Sequence, residues 1–281
     1  MRPVTLETWL SSHPYLRPLA QFTARVDRAL REVETPGAAV PAWNNYAADF
    51  HAGVPLLTSS AAGIDLMPVG RTALVLVERL SAGAPAESSI PGLGPLSAAL
   101  RKDPEAPGRV TAFLLGEEAI DLPSPGLLRY LGWAAAARYL APVVDDFRRW
   151  RDEDRWQRRY CPTCGSLPAM AQLVSAETGR MRWLSCGLCG TRWRFGRALC
   201  PFCEHDAHRA ATLTIEGEGG LRLDTCESCK GYLKTYDGQG DEGVLLADWT
   251  SLHLDVAAHE RGFLRKAVSL YEVGTLLAAS P

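Results

Sequence analysis

The chain has 281 residues, of which 47% are apolar and 22% charged. Such a composition is that of a globular protein of about two domains, and it excludes a mainly disordered chain. The net charge of −2 excludes a polybasic nucleic-acid binder, and no apolar run reaches the roughly 18 residues that a membrane span needs.

The N-terminal segment, residues 1–16, lacks the apolar stretch that secretory signals contain. We therefore expect no export signal and a reducing cytoplasm as the location. Structural disulfides are rare in that compartment. The eight cysteines of the chain thus predict metal or redox chemistry.

The first half of the chain is predicted to be mostly helical. Apolar residues recur at helical spacing between Leu16 and Val33, and residues 72–80, 110–115 and 127–147 also suit helices. Pro- and Gly-rich joints separate these segments. Because no site motif occurs here, we interpret this half as a scaffold without chemistry of its own. Residues 148–159, rich in arginine, are predicted to be the exposed end of the last helix.

All eight cysteines lie between positions 161 and 229, as four C-x-x-C pairs. The pairs are Cys161 with Cys164, Cys186 with Cys189, Cys200 with Cys203, and Cys226 with Cys229. The first pair recurs 39 residues later as the third, and the second recurs 40 residues later as the fourth. This spacing indicates an internal repeat.

Each repeat is predicted to contain a β-hairpin between its two cysteine pairs. Gly-rich turns join β-prone runs, which is the usual hairpin signal. The first hairpin is predicted over 169–175, 176–179 and 180–184, and the second over 209–215, 217–220 and 221–224. Gly165 and Gly190 follow two of the C-x-x-C turns, where a positive φ is often required.

Two C-x-x-C turns offer one ion a tetrahedron of four thiolates. Zinc ribbons separate these turns by roughly 15–20 residues, and the gaps here are 21 and 22 residues. We assign the first site to Cys161, Cys164, Cys186 and Cys189, and the second to Cys200, Cys203, Cys226 and Cys229. A crossed arrangement, in which the first and third pairs share an ion, stays open because spacing does not determine connectivity.

Other uses of the cysteines are weaker interpretations. Unrelated thiol turns do not explain a repeated paired set, and thioredoxin-like chemistry needs a C-x-x-C that opens a helix in a βαβ unit. The cysteine run of bacterial ferredoxins is absent. His205 and His208 follow Cys203 and could replace a cysteine ligand, although four cysteines already complete each set.

Eight arginines and only one acidic residue, Glu177, lie between positions 155 and 199. One interpretation is a basic face that binds nucleic acid or an acidic partner. The other is that the arginines balance the negative charge of the metal thiolates. Both interpretations stay open. After the last cysteine pair, residues 243–260 are predicted to form another helix.

No phosphate-binding loop, nucleophile elbow or H-E-x-x-H motif occurs in the chain. No nucleophile is accompanied by an identifiable base either. The chain is therefore not expected to be an enzyme.

Five stretches carry a resemblance to a known family. They read CPTCGSLPAM, LSCGLCGTRWRFGRALCPFC, CESCKGYLKTY, ADWTSLHLD and GFLRKA, in this order between residues 161 and 267. In order and spacing this region resembles the formate dehydrogenase accessory proteins of the FdhE family.

The resemblance implies an α+β fold. A mainly helical N-terminal domain, 1–157, would precede two tandem rubredoxin-like or zinc-ribbon four-cysteine modules, 158–198 and 199–240, and a C-terminal helical segment, 241–281. The eight cysteines would hold two iron ions in rubredoxin-like sites, with zinc as the alternative.

The resemblance also implies a function. The protein would be a cytoplasmic maturation factor that binds the catalytic subunit of a respiratory formate dehydrogenase and is needed for its activity. The alternatives are a rubredoxin-like electron carrier or redox sensor, and a zinc-ribbon nucleic-acid-binding protein. We expect neither a membrane nor a nucleic acid as partner, and a homodimer stays open.

Overall fold

A computed structural model describes residues 4–82, 90–177, 179–205, 210–215, 217–218 and 220–271. The chain divides into two compact units. One unit, called the helical unit below, contains the described parts of Pro18–Asn45 and Ser60–Trp150. The other, the cysteine unit, contains the described parts of Met1–Arg17, Tyr46–Ser59 and Arg151–Pro281.

The helices of the described residues follow one another in chain order. They are α1 (Leu6–Ser12), α2 (Arg17–Glu32), α3 (Trp43–Ala52), α4 (Met67–Ala82), α5 (Leu93–Arg101), α6 (Ala106–Leu115), α7 (Pro125–Trp150), α8 (Glu242–Leu245) and α9 (Leu252–Glu260). Short 3₁₀ turns occur at Pro14–Leu16, Leu56–Thr58 and Asp248–Ser251. The predicted helical character of the first half is confirmed. None of these helices is long and apolar enough to cross a membrane.

Helix α4 is central to the helical unit, where it packs against α5, α6 and α7. Its buried face carries Leu76 and Val77, both fully buried. At Gly70 the helix comes so close to α6 that a Cβ atom would lie 2.0 Å from the carbonyl oxygen of Pro107. A small residue is therefore required at this crossing.

The predicted extension of α7 to residue 159 is wrong, because the helix ends at Trp150. Two of the side chains that follow are buried, since Arg151 is 5% exposed and Trp156 is 1% exposed. The residues between and after them are mostly exposed, as predicted. The indole N–H of Trp156 donates to the carbonyl oxygen of Tyr160 at 2.9 Å, and its ring stacks on Phe50. This packing needs a turn where the sequence pattern suggested a helix.

The single helix predicted over 243–260 is also interrupted. The 3₁₀ turn at Asp248–Ser251 separates α8 from α9. The Thr250 hydroxyl donates to the carbonyl oxygens of Val244 and Ala247, each at 2.7 Å. The ammonium group of Lys234 donates a hydrogen bond to the carbonyl oxygen of Asp248 at 2.9 Å. These side-chain bonds, which are local for Thr250 and tertiary for Lys234, use carbonyl groups that a continuous helix would keep for itself.

Both predicted hairpins are present in one six-stranded sheet. Its strands are β1 (Met170–Ala176), β2 (Gly179–Ser185), β3 (Arg192–Arg194), β4 (Ala210–Thr214), β5 (Leu221–Cys226) and β6 (Tyr232–Asp237), in the order β3-β2-β1-β6-β5-β4. Each repeat supplies three antiparallel strands. The two halves meet through the parallel pair of β1 and β6, in which Met170 lies opposite Lys234.

The architecture is therefore a mixed helix and sheet fold with a helical N-terminal region, as predicted. The boundaries given above for the two cysteine modules stay a prediction. The parallel pairing shows that their strands share a single sheet, so the modules are not connected by the chain alone.

Candidate metal centres

The four C-x-x-C turns have the same backbone design. In each, the N–H of the first cysteine donates to the carbonyl oxygen five residues later. These bonds join Cys161 to Ser166 at 2.8 Å, Cys186 to Thr191 at 2.9 Å, Cys200 to His205 at 3.0 Å, and Cys226 to Gly231 at 2.9 Å. Each turn is thereby closed before any ion is considered, and both sulfurs are held on one side of it.

The residue four positions after the first cysteine has a positive φ in every turn. Glycine takes this position twice, as Gly165 at 78° and Gly190 at 73°. The other two are Glu204 at 58° and Lys230 at 54°. This left-handed conformation costs an L-residue roughly 1–2 kcal/mol and costs glycine almost nothing. The third and fourth turns therefore carry strain that the first two avoid.

The first four-cysteine cluster consists of Cys161, Cys164, Cys186 and Cys189. The sulfurs of Cys161 and Cys189 are 3.5 Å apart, and those of Cys164 and Cys186 are 3.4 Å apart. Backbone N–H groups point at two sulfurs, from Thr163 to Cys161 and from Leu188 to Cys186, each at 3.4 Å. Three of the four cysteines are buried, and Cys164 is half-buried.

The second four-cysteine cluster consists of Cys200, Cys203, Cys226 and Cys229. The sulfurs of Cys200 and Cys229 are 3.9 Å apart, and those of Cys203 and Cys226 are 3.8 Å apart. A tetrahedral ion with metal–sulfur bonds of about 2.3 Å needs sulfurs about 3.8 Å apart. The second cluster has that spacing, and the first is slightly tighter.

The structure thus brings the cysteines together in the two groups assigned from the sequence, and within each group the sulfurs lie within 4.8 Å of one another. The crossed arrangement of the first and third pairs is not formed. His205 is exposed, and its Nδ1 lies 3.2 Å from the carbonyl oxygen of Cys203 rather than in the cluster. His208 lies outside the described residues.

The thiols influence one another strongly within each cluster. Burial raises the pKa of Cys161 well above its usual value, whereas hydrogen bonds from the neighbouring cysteines lower the pKa of Cys164. Burial likewise raises the pKa of Cys200 to about 12. For Cys226, burial is outweighed by the backbone N–H groups of Cys229 and Ser228, and its pKa falls to about 7.

Four sulfurs this close cannot all ionise unless a cation lies between them. Such a donor set suits zinc or iron, the ions that prefer tetrahedral thiolate ligands. Each of the two clusters could therefore bind one metal ion.

A cavity of about 150 Å³ adjoins the second cluster. Its lining includes Cys200, Cys226 and Phe202 together with the guanidinium-bearing residues Arg182 and Arg222. Burial lowers the pKa of Arg182 to about 10, so its charge is retained at neutral pH. The cavity gives solvent and small solutes a route to this side of the second cluster.

The arginines between positions 155 and 199 are largely engaged within the chain. Arg159 donates to the carbonyl oxygen of Phe202, and Arg182 donates to those of Gly196 and Leu199. Arg197 donates to the carbonyl oxygen of Arg180 at 3.2 Å, and ion pairs join Arg180 to Asp237 and Arg194 to Asp154. These bonds favour a structural role for the arginines over a free basic face.

The sequence patterns missed a buried charge network beside the last cysteine turn. The Lys234 ammonium, 1% exposed, lies 2.6 Å from Asp248 and 2.9 Å from Asp255. Arg265 reaches the same two carboxylates at 2.7 and 2.9 Å, and the Tyr232 hydroxyl donates to Asp255 at 2.6 Å. Two cations and two anions thus balance within the core. The available signal was Lys234 in a β-prone run beside Tyr232, Leu233 and Tyr236.

The network also keeps the buried carboxylate of Asp248 ionised. Burial alone would raise the pKa of Asp248, but Lys234 and Arg265 outweigh it, and the pKa falls to about 2. The network connects β6 to the turn before α9 and to the segment that follows α9. It therefore anchors the segment around Arg265 on the second module.

Fold and site together define a protein with a helical unit and two zinc-ribbon-like modules, each with a cluster that could hold a metal ion. The family model for the FdhE central domain matches residues 160–197. A protein FdhE homolog of Pseudomonas aeruginosa is 33% identical over 205 residues, which are 69% of this chain and 65% of that protein. Protein FdhE of Escherichia coli K12 is 29% identical over 140 residues, 49% of this chain and 45% of that protein.

A solved structure extends the likeness to most of the chain. The crystal structure of the FdhE protein from P. aeruginosa superposes with a TM-score of 0.66 and 26% identity, covering 93% of this chain and 91% of that one. The sequence matches themselves span about half to two thirds of the length of the two curated relatives. The chain belongs to the FdhE family.

Proposed function

We propose that this protein is an accessory factor for a respiratory formate dehydrogenase. It binds the catalytic subunit of that enzyme in the cytoplasm and is needed for the subunit to become active, without being an enzyme itself. Membership of the FdhE family carries this proposal. The lack of a nucleophile with a nearby base in the sequence supports the non-enzymatic part.

The second part of the proposal concerns the metals. We infer that each four-cysteine cluster holds one iron ion, with the eight cysteines as ligands and zinc as the alternative. The sulfur separations of 3.8 and 3.9 Å in the second cluster support a four-coordinate ion. Iron can change oxidation state in such a site, whereas zinc cannot.

Co-purification tests the partner. The tagged chain is expressed in anaerobically grown cells beside the formate dehydrogenase catalytic subunit and recovered by its tag. We expect the subunit to co-elute and dehydrogenase activity to be lost when the chain is deleted. As a matched control, a tagged chain with the exposed His259→Gln substitution should recover the subunit equally well. Absence of the subunit from every eluate, with full activity in the deletion strain, would contradict the proposal.

Metal analysis of protein purified without oxygen tests the clusters. About two irons per chain with thiolate-to-iron absorption would support rubredoxin-like centres. About two zincs without colour would keep the ligand assignment and contradict iron. Fewer than one metal per chain, unchanged after reconstitution, would contradict the ligand assignment itself.

A redox carrier or sensor is the second candidate, and the exposure of the second cluster favours it. Cys203 and Cys229 are half-buried, and the cavity borders Cys200 and Cys226. Electron exchange needs such access. A reversible one-electron titration of the iron-loaded protein would support this candidate. It fails if the protein matures the dehydrogenase equally well with zinc in both clusters.

A further inference from the structure

Three side chains from distant parts of the sequence meet outside both cysteine clusters. His13 follows α1, Glu218 lies in the turn between β4 and β5, and His253 lies in α9. The Nε2 atom of His13 is 3.3 Å from Oε1 of Glu218, and the Nε2 atom of His253 is 2.7 Å from Oε2 of the same carboxylate. One carboxylate therefore stands between two imidazoles, and the three ligand atoms lie within 4.8 Å of one another.

The orientation of His13 is determined by its other ring nitrogen. Nδ1 lies 3.0 Å from the carbonyl oxygen of Trp9. A carbonyl only accepts, so Nδ1 donates a proton to it, and the other ring nitrogen, Nε2, faces Glu218. This is the arrangement of a metal-binding histidine, whose second nitrogen donates to a carbonyl group.

Aromatic packing holds both rings in place. His13 stacks on Trp9 with ring centroids 4.1 Å apart, and on His253 with centroids 5.0 Å apart. The ring of Tyr15 meets His13 edge-on at 5.9 Å. The side chains of His13 and Glu218 are 9% and 11% exposed. The site is thus preorganised, and its edge remains open to solvent.

A cation or a proton has to lie between the imidazole nitrogens and the Glu218 carboxylate. A nitrogen lone pair and a carboxylate oxygen 3.3 Å apart repel each other unless one of these separates them. The stacked rings of His13 and His253, with centroids 5.0 Å apart, place two imidazoles against this one carboxylate. Two neutral imidazoles and one carboxylate form a donor set used by zinc enzymes.

We propose that His13, Glu218 and His253 form a third metal site, which takes a divalent first-row transition ion such as zinc and leaves one coordination position for water or a partner's ligand. Ligand atoms about 2.0–2.1 Å from a tetrahedral ion lie about 3.3–3.4 Å apart. The His13 and Glu218 atoms have this separation. The His253 contact of 2.7 Å has to open by about 0.6–0.7 Å through side-chain movement when the ion binds.

The site is expected to bind more weakly than the cysteine clusters. Among the residues that the structure describes, none forms a hydrogen bond with Nδ1 of His253. Loss of such an outer partner typically costs 10–100-fold in metal affinity. Occupation of the site would join the N-terminal helix α1 to the hairpin turn and to α9, all within the cysteine unit.

Cobalt titration tests the site without reference to any enzyme activity. The full-length chain is first loaded at both cysteine clusters and desalted, then titrated with Co²⁺ and analysed for total metal per chain. We expect one further equivalent, with the weak visible bands of nitrogen and oxygen ligands and without new thiolate charge-transfer absorption. No further equivalent in the wild-type chain would overturn the proposal.

Variants assign the extra equivalent to these residues. Glu218→Gln keeps the shape of the side chain and removes its charge, while His13→Gln and His253→Gln remove one nitrogen each. Each should abolish the further equivalent and leave metal at the cysteine clusters unchanged. That unchanged content also shows that the variant has folded. His259→Gln, on the exposed face of α9, is the matched control and should keep the equivalent. Retention of the further equivalent in all three variants would also overturn the proposal.

Discussion

The two four-cysteine clusters share one backbone design and differ in their surroundings. The first has three buried cysteines and glycine at both left-handed positions, Gly165 and Gly190. The second has two half-buried cysteines, an adjoining cavity, and Glu204 and Lys230 in the left-handed conformation. A repeated motif can therefore supply the same ligands twice, while packing buries one copy and leaves the other more accessible.

The two modules are also stabilised differently. The first is supported by burial of its own cysteines and by contacts with a preceding loop, in which the backbone N–H groups of Leu56 and Leu57 donate to the carbonyl oxygens of Pro162 and Thr163. The second is supported by the buried charge network around Lys234. Each support can be removed separately, which makes the comparison testable.

Removal of a ligand should have the largest effect, and a greater one in the first cluster. Cys186→Ala loses a metal ligand in the buried cluster, so we expect its free energy of unfolding to fall by more than about 4 kcal/mol. Cys226→Ala, at the equivalent position, should cost less because solvent already reaches that cluster. Denaturant unfolding and limited proteolysis measure both. Unchanged protease resistance of Cys186→Ala would contradict the prediction.

Breaking the charge network should weaken the second module. Lys234→Met leaves Asp248 and Asp255 with Arg265 as their remaining cation, so we expect a loss of about 3–5 kcal/mol. The exposed Lys230→Met is the control in the same module and should change stability by no more than about 0.5 kcal/mol. The denaturant midpoints of the two variants measure this difference in stability. Equal stability would mean that the network contributes nothing.

A methyl group at a glycine position should reveal the strain that the first module avoids. Gly165→Ala has to adopt a φ of 78°, and its Cβ would lie 3.2 Å from Cγ of Pro55. We expect a loss of about 1–2 kcal/mol in the free energy of unfolding. Gly196→Ala, with negative φ and open space around its Cβ, serves as the control. A loss below that of the control would show that the turn relaxes.

The reverse change should give the smallest effect. Glu204→Gly relieves the left-handed strain at 58° in the third turn, but it increases the entropy of the unfolded chain. These terms nearly cancel, and we expect a gain of about 0.5 kcal/mol. Thermal unfolding of the metal-loaded protein measures it. A clear loss would mean that the Glu204 side chain itself stabilises the turn.

The cysteine groups and hairpins were accessible from the sequence because their signals are local. A C-x-x-C turn closes within six residues, and the hairpin turns contain glycine at positions of positive φ, Gly179, Gly217 and Gly220. Helices α2, α4, α6 and α7 were predictable for the same reason, since each contains a segment with apolar residues at helical spacing. Helices α1, α3 and α5 were not predicted from the sequence. Ligand roles for the eight cysteines remain a proposal that the geometry supports.

The two helix predictions that failed have a common cause. Residues 151–159 and 246–251 have helix-compatible patterns, but their polar groups bond to distant partners. Arg151 donates to the carbonyl oxygen of Arg192, and the carbonyl oxygen of Asp248, between α8 and α9, accepts from Lys234. Local propensity is worth only tenths of a kcal/mol per residue, so a few buried hydrogen bonds outweigh it.

The sequence by itself determined the repeat, the cysteine spacing, the hairpins and the family. Only the tertiary structure decided the parallel pairing of β1 with β6, the charge network around Lys234, and the meeting of His13, Glu218 and His253. The physical reason is distance along the chain. Hydrogen bonds within a turn join near neighbours and leave a pattern, whereas His13 and Glu218 are 205 positions apart and meet only when the whole cysteine unit has packed.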